Sequence, residues 1–120
     1  MEAVRKTEIF WRGIECFNRR QFFTCHELLE EIWLEESAEE KTYYQGLIQV
    51  AAAFHHFLNG NLVGAESLLR AGVEKLRHHT STNTDIDVAG LLAALQPWLE
   101  RLARGQTLDG LPLPTLRRPA

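Results

Sequence analysis

A chain of 120 residues with 45% hydrophobic and 24% charged residues fits one soluble domain whose core needs neither metal nor disulfide staples. The net charge of −3 divides as −4 over residues 1–60 and +1 over 61–120, with no basic cluster of the kind a nucleic acid requires. Cys16 and Cys25 form neither a Cys-x-x-Cys pair nor a disulfide framework, the amino-terminal stretch lacks a signal-peptide core, and the most apolar window, Leu47–Leu58, is too short for a bilayer. These features predict a cytoplasmic protein with no nucleic-acid or membrane partner.

The first helix is expected over Ala3–Asn18, with Phe10, Ile14 and Phe17 at i, i+4 and i+7 as its inner stripe. The connector Asn18–Gln21 is short and polar, so the next helix should return antiparallel to the first. That second helix runs from Phe22 to near Glu36-Ser37. At about 100° per residue, Phe22, His26, Leu29, Glu30 and Trp33 fall within about 100° of one another, which puts an imidazole and a carboxylate on or beside the inward face. The acidic run Glu35, Glu36, Glu39 and Glu40 reads as solvated helix ends.

A third helix, about Lys41–Leu58, is apolar most of the way round and therefore central. One narrow polar stripe runs down it: Gln45, Gln49, Ala52 and His56 lie within about 60°. A buried amide or imidazole without a partner costs about 1–3 kcal/mol, so this stripe is expected to face His26 and Glu30.

Gly60-Asn61 marks the next turn, with Gly60 ending the third helix and Asn61 capping a fourth, about Leu62–His78. Gly64 and Gly72 in that helix cost about 1 kcal/mol each against alanine, a loss that close approach of another backbone would justify. A polar loop over 80–84 leads to Asp85 or Asp87, either of which can cap a fifth helix reaching Leu102. Pro97 should kink that helix or end its first segment near Gln96, and Gly105 closes it. Leu108–Ala120, with Pro112, Pro114 and Pro119, is expected to lie extended across the bundle. The fold expected is all-α: a five-helix bundle of two antiparallel helical hairpins plus a closing helix, with the domain over 1–106 and a Pro-rich tail over 107–120. Around Asn18–Glu31 and Asn59–Leu69 the chain faintly echoes itself, which suits paired hairpins.

Phe17-Asn18, Phe22, Cys25-His26-Glu27, Glu30 and Trp33, followed by Gln45-Gly46-Leu47-Ile48-Gln49, Gly60-Asn61 and Gly64-Ala65, resemble a small all-helical bacterial family, domain of unknown function family 309. The resemblance covers about Glu8 to Leu102. It implies an all-α fold and a shared motif at His26, Glu27, Glu30, Trp33, Gln45, Gly46, Gln49, His56, Gly60 and Asn61, and it brings no activity with it. Family members often carry alanine before the His-Glu pair, so Cys25 departs from the pattern and is a weak nucleophile candidate.

Three kinds of chemistry suit these residues. His26, Glu27, Glu30, Gln45, Gln49 and His56 can form a buried polar centre in a cofactor-free binding and interaction module, with Phe22 and Trp33 as candidate groove walls. A metal-dependent, hydrolase-like site is the alternative: His26, Glu30 and His56 would hold zinc or manganese, although His-Glu-x-x-Glu lacks the second imidazole of the zincin pattern. A carboxylate beside an imidazole also suits metal-free acid–base work, but no nucleophile accompanies the pair. Whether the chain is an enzyme stays open at this level. A protein partner or a second copy of the chain is the expected company. His55, His78 and His79 carry weaker claims, the last two as cations at a helix C-terminus.

Overall fold

The computed structural model describes residues 1–81 and 84–120, and among these it contains five α-helices and no strand. They are α1 (Ala3–Asn18), α2 (Phe22–Glu35), α3 (Ala38–Leu58), α4 (Leu62–Leu76) and α5 (Val88–Ala103), with a 3₁₀ turn over Arg77–His79. The loop expected over 80–84 lies partly outside the described residues.

One boundary and one proline stand out against expectation. α3 begins three residues early, at Ala38, because Glu39 and Glu40 then sit in its first turn, where carboxylates interact favourably with the exposed N–H groups. α5, expected to kink at Pro97 or to end its first segment near Gln96 and to reach Leu102, runs as one helix through Pro97 to Ala103. Proline removes one backbone bond, yet Leu95 and Trp98 on either side are buried, and Trp98 meets Phe54 and Phe57 edge-on at 5.0 Å each. That packing holds the helix across the gap.

Three helix ends share one device. Arg20, Gly60 and Gly105 adopt left-handed backbone angles (φ 66°, 79° and 63°), and the following N–H reaches back five residues, as Gln21 does to Cys16 at 2.8 Å and Asn61 to His56 at 2.9 Å. The faint internal echo is therefore a repeated helix ending, with arginine standing at one of two equivalent places.

α3 lies between α2 and α4. It approaches α4 closely where Gly46 meets Gly72: a Cβ on Gly72 would stand 2.9 Å from the Gly46 carbonyl oxygen. α5 packs on α4, and its Trp98 reaches the aromatic end of α3. The tail crosses from α1 to α5. Asn18 grips the Leu116 backbone from both sides, donating to its carbonyl at 2.9 Å and accepting from its N–H at 2.7 Å. Trp98 Nε1 donates to the Pro112 carbonyl, the Asp87 N–H to the Arg117 carbonyl, and the Arg118 guanidinium stacks on Trp11. Among the described residues no helix is long and apolar enough to cross a membrane.

Candidate functional site

The buried stripe of α2 is Phe22, Cys25, Leu29 and Ile32. At about 100° per residue its centre lies some 80° from His26 and farther from Glu30. The polar pair therefore sits on the shoulder of the helix. No polar or charged residue among those described is buried, so the expected buried centre is instead a half-open one. His26, Glu30, Gln45, Gln49 and His56 are all half-buried and Glu27 is exposed. Cys25 and Ile32 took the inward positions because they lose no hydration there, whereas an imidazole and a carboxylate would.

The two stripes do not meet as expected. His26 Nε2 pairs with Glu30 on its own helix at 3.2 Å. Gln49 leans the other way, onto α4, where a Cβ on Gly72 would come within 3.2 Å of its own. His56 turns to the start of α4: Asn61 Nδ2 donates to its Nδ1 at 3.2 Å, while Asn61 Oδ1 accepts from the Gly64 N–H at 2.9 Å and caps that helix. His26, Glu30 and His56 thus do not converge, and among the described residues no three His, Cys, Asp or Glu side chains come together to hold a metal ion.

A row of rings connects α2 to α3. His26 stacks on Phe23 at 5.7 Å, Phe23 lies 5.3 Å from His55, and His55 lies 5.8 Å from His56, which Asn61 holds in place. Phe23 was not among the sequence candidates, and His55 carried only a weaker claim. The signal was present in the spacing: Phe23 precedes His26 by three residues, one helical turn, and His55 adjoins His56. Of the two phenylalanines, Phe22 is core rather than groove wall, packed against Phe17 and Phe54. Trp33 is half-buried, and its face is already covered by the Lys41 ammonium at 4.3 Å.

Three polar atoms around this region, His26 Nδ1, Trp33 Nε1 and Gln49 Oε1, are buried without a hydrogen-bond partner. The Cys25 thiol is fully enclosed, and burial, with Cys16 adding to it, pushes it from 9.0 up to about 12. A thiol so protonated at neutral pH is no nucleophile.

Fold and site together describe an all-α bundle of antiparallel hairpins bearing a row of imidazoles and a phenyl ring at one end. Residues 10–68 match the family described as Domain of unknown function (DUF309), the family that the ordered motifs of α2 to α4 resemble. Over 104 residues it is 31% identical to the uncharacterised protein YpuF of Bacillus subtilis (strain 168), a match covering 84% of this chain and 60% of that one. Over 58 residues it is 40% identical to an uncharacterised protein of Aquifex aeolicus (strain VF5), covering 48% of this chain and 17% of that one. The chain thus spans less than two thirds of the length of either relative.

Proposed function

We propose that this chain is a cytoplasmic binding and interaction module, working without a cofactor, that docks a protein partner on the end of the bundle carrying the ring row. One observation carries this reading. Exposed large apolar side chains gather where α2 begins, α3 ends and α4 begins: Phe23, Leu58, Leu62 and Val63, with Phe23 52% and Val63 83% exposed. Contact between Phe23 and His55 joins the first of these to the α3 end, and the tight turn at Gly60 joins the rest. An apolar group of this kind rimmed by polar imidazoles has the composition of a docking patch. The Aquifex relative adds support, since the shared helices make up a small part of a much longer chain there.

The test compares the wild-type chain with a Phe23→Ser, Val63→Ser double variant whose circular dichroism is unchanged. Proteins retained by the wild type and lost by the variant are purified and titrated back. The expected partner, which includes a second copy of the chain, binds the variant at least tenfold more weakly. If both chains retain the same proteins with equal affinity and neither self-associates on sedimentation, this end of the bundle is not a docking surface.

A further inference from the structure

The tail lies on the bundle as a bound peptide lies in its receptor. From Pro114 to Arg117 buried and exposed positions alternate, with Pro114 and Leu116 buried and Thr115 and Arg117 exposed, the period of an extended chain. Its polar anchors to the helices fall on the main chain: the Trp98 indole N–H donates to the Pro112 carbonyl at 3.2 Å, the Asn18 carboxamide takes both backbone groups of Leu116, and the Asp87 N–H donates to the Arg117 carbonyl at 2.7 Å. Groups placed in this way hold any extended backbone, whatever its side chains. Sequence is read at three alternate places instead: Pro114 and Leu116 are buried against the bundle, and the Arg118 guanidinium lies 3.8 Å from the centre of the Trp11 ring.

The groove that receives these residues is wider than its occupant. A cavity of about 350 Å³ stays open between Leu113 of the tail and the small residues Gly90 and Ala94 of α5, and another of about 380 Å³ between Leu116 and the Trp11 side of α1. Both volumes fall in the range of roughly 300–1,000 Å³ in which pockets take up ligands. The connection from α5 keeps bonds of its own, since Arg101 Nη1 donates to the Thr107 and Asp109 carbonyls at 3.3 and 3.2 Å. Gly110 follows in the left-handed region, at φ 82°. Residues 112–118 can therefore leave the groove by rotation at Gly110 while α5 and its connection stay in place.

We propose that the groove between α1 and α5 is a peptide-binding site, that the tail is its resting occupant, and that an extended segment of a partner protein displaces it. The partner segment keeps the spacing Pro-x-Leu-x-Arg of Pro114, Leu116 and Arg118, and carries an aromatic residue where the tail has Leu113. That spacing follows from the three places at which the groove reads side chains. The aromatic follows from the open space beside Gly90 and Ala94, which Leu91 and Pro112 also line and which leucine leaves unfilled. Charge suits the arginine: residues 110–120 include Arg117 and Arg118 and no acidic side chain, and Arg118 shares its cavity with Glu15, whose carboxylate also reaches Arg19 at 2.7 Å. A tail that fits loosely covers the apolar groove and gives way to a segment that fills it better, at the cost of a lower apparent affinity while the tail is seated. The tail of a second copy has the same leucine, so it gains nothing over the tail already in place and must also offset the entropy of association. None of Phe23, Leu58, Leu62 and Val63 lines this groove, so this inference and the docking patch stand or fall separately.

The test titrates a fluorescent peptide with the sequence of residues 110–120 and the substitution Leu113→Trp into the full chain. Saturable binding is expected, at least tenfold tighter to a full chain carrying Leu116→Asp, whose own tail is unseated, than to wild type. Adding Asn18→Ala to Leu116→Asp should weaken it at least tenfold, and the peptide without Leu113→Trp should bind Leu116→Asp at least threefold more weakly. A second measurement needs no variant: saturating unlabelled peptide should speed hydrogen exchange at the Leu116 amide of isotopically labelled wild-type chain and leave the amides of α3 protected. Should Leu116→Asp fail to fold by circular dichroism, that exchange measurement decides alone. An unchanged Leu116 amide at saturating peptide, or, with Leu116→Asp folded, no saturable binding or indifference to Asn18→Ala, would overturn the proposal. Equal binding of the two peptides, or sedimentation of wild type as a dimer that Leu116→Asp abolishes, would overturn the partner in favour of the tail of a second copy.

Discussion

At Gly72 a single hydrogen atom decides whether two helices fit. Alanine in place of a mid-helix glycine ordinarily stabilises by about 1 kcal/mol, but here the new methyl would stand 2.9 Å from the Gly46 carbonyl oxygen and 3.0 Å from Val50 Cγ2. Backbone cannot yield as a side-chain tip can, so Gly72→Ala is expected to destabilise by about 1–3 kcal/mol in chemical denaturation. A neutral or stabilising result would mean that α3 and α4 can separate at little cost. Cys25 supports a second prediction, now in pH. Its thiol is held from 9.0 up to about 12 by burial, so the folded chain keeps a proton that the unfolded chain has lost. Stability from this source is intact below about pH 9.0 and falls as pH rises toward 12, at up to about 1.4 kcal/mol per unit. Tyr43 and Tyr44, raised chiefly by burial, act in the same direction above their ordinary 10.0. Urea titrations of wild type and Cys25→Ala between pH 8 and 11 should show the shallower slope in the variant; parallel slopes would remove Cys25 from the account. The close approach at Gly72 was legible in the sequence, because a glycine inside a helix demands a packing reason, whereas at Gly64 the expected second backbone is absent and the space is taken by the capping side chain of Asn61. Which shoulder of α2 the imidazole occupies was not, since Phe22 and Leu29 belong equally to the stripe with His26 and to the one with Cys25 and Ile32.

The tail behaves as an element although it is neither helix nor strand. It is expected from its leucines to touch the bundle, but proline and leucine alone do not say where. The place is set by Asn18, the last residue of α1, whose carboxamide offers one donor and one acceptor in the geometry of a neighbouring strand. Asn18→Ala removes both bonds and leaves the Leu116 carbonyl and N–H without partners, beside a buried leucine side chain. A loss of about 1–3 kcal/mol is expected, with the Leu116 amide exchanging faster while amides in α3 keep their protection. Equal loss of protection in α3 would show that the tail does not open by itself. Pro97 teaches a related lesson. Sequence rules read it as a kink or a break near Gln96, and the helix continues through it because the burial of Trp98 on Phe54 and Phe57 offsets the missing bond. Tertiary packing of this kind cannot be seen along one helix.

Across the whole molecule, order of assembly follows from which contacts are local. α1 with α2 and α3 with α4 are hairpins between neighbours in sequence, whereas Asn18 and Leu116 are 98 residues apart. Short loops close at low entropic cost and the long one does not. α3 has helices on both flanks and the Trp98 ring against its far end, so its amides should exchange only through global unfolding. The tail and then α5, which is fastened mainly through α4 and Trp98, should open at lower free energy. Native-state hydrogen exchange against denaturant gives the ranking directly: tail first, α5 next, α2 and α3 last. The ranking bears on function, because it keeps the α2–α3–α4 end rigid while the α5 side breathes, and an exposed apolar patch binds well only when its backbone does not have to be ordered first. If α2 or the start of α4 were found to open before α5, Phe23, Leu58, Leu62 and Val63 would no longer form a standing surface, and docking there would carry an ordering cost that this fold otherwise avoids.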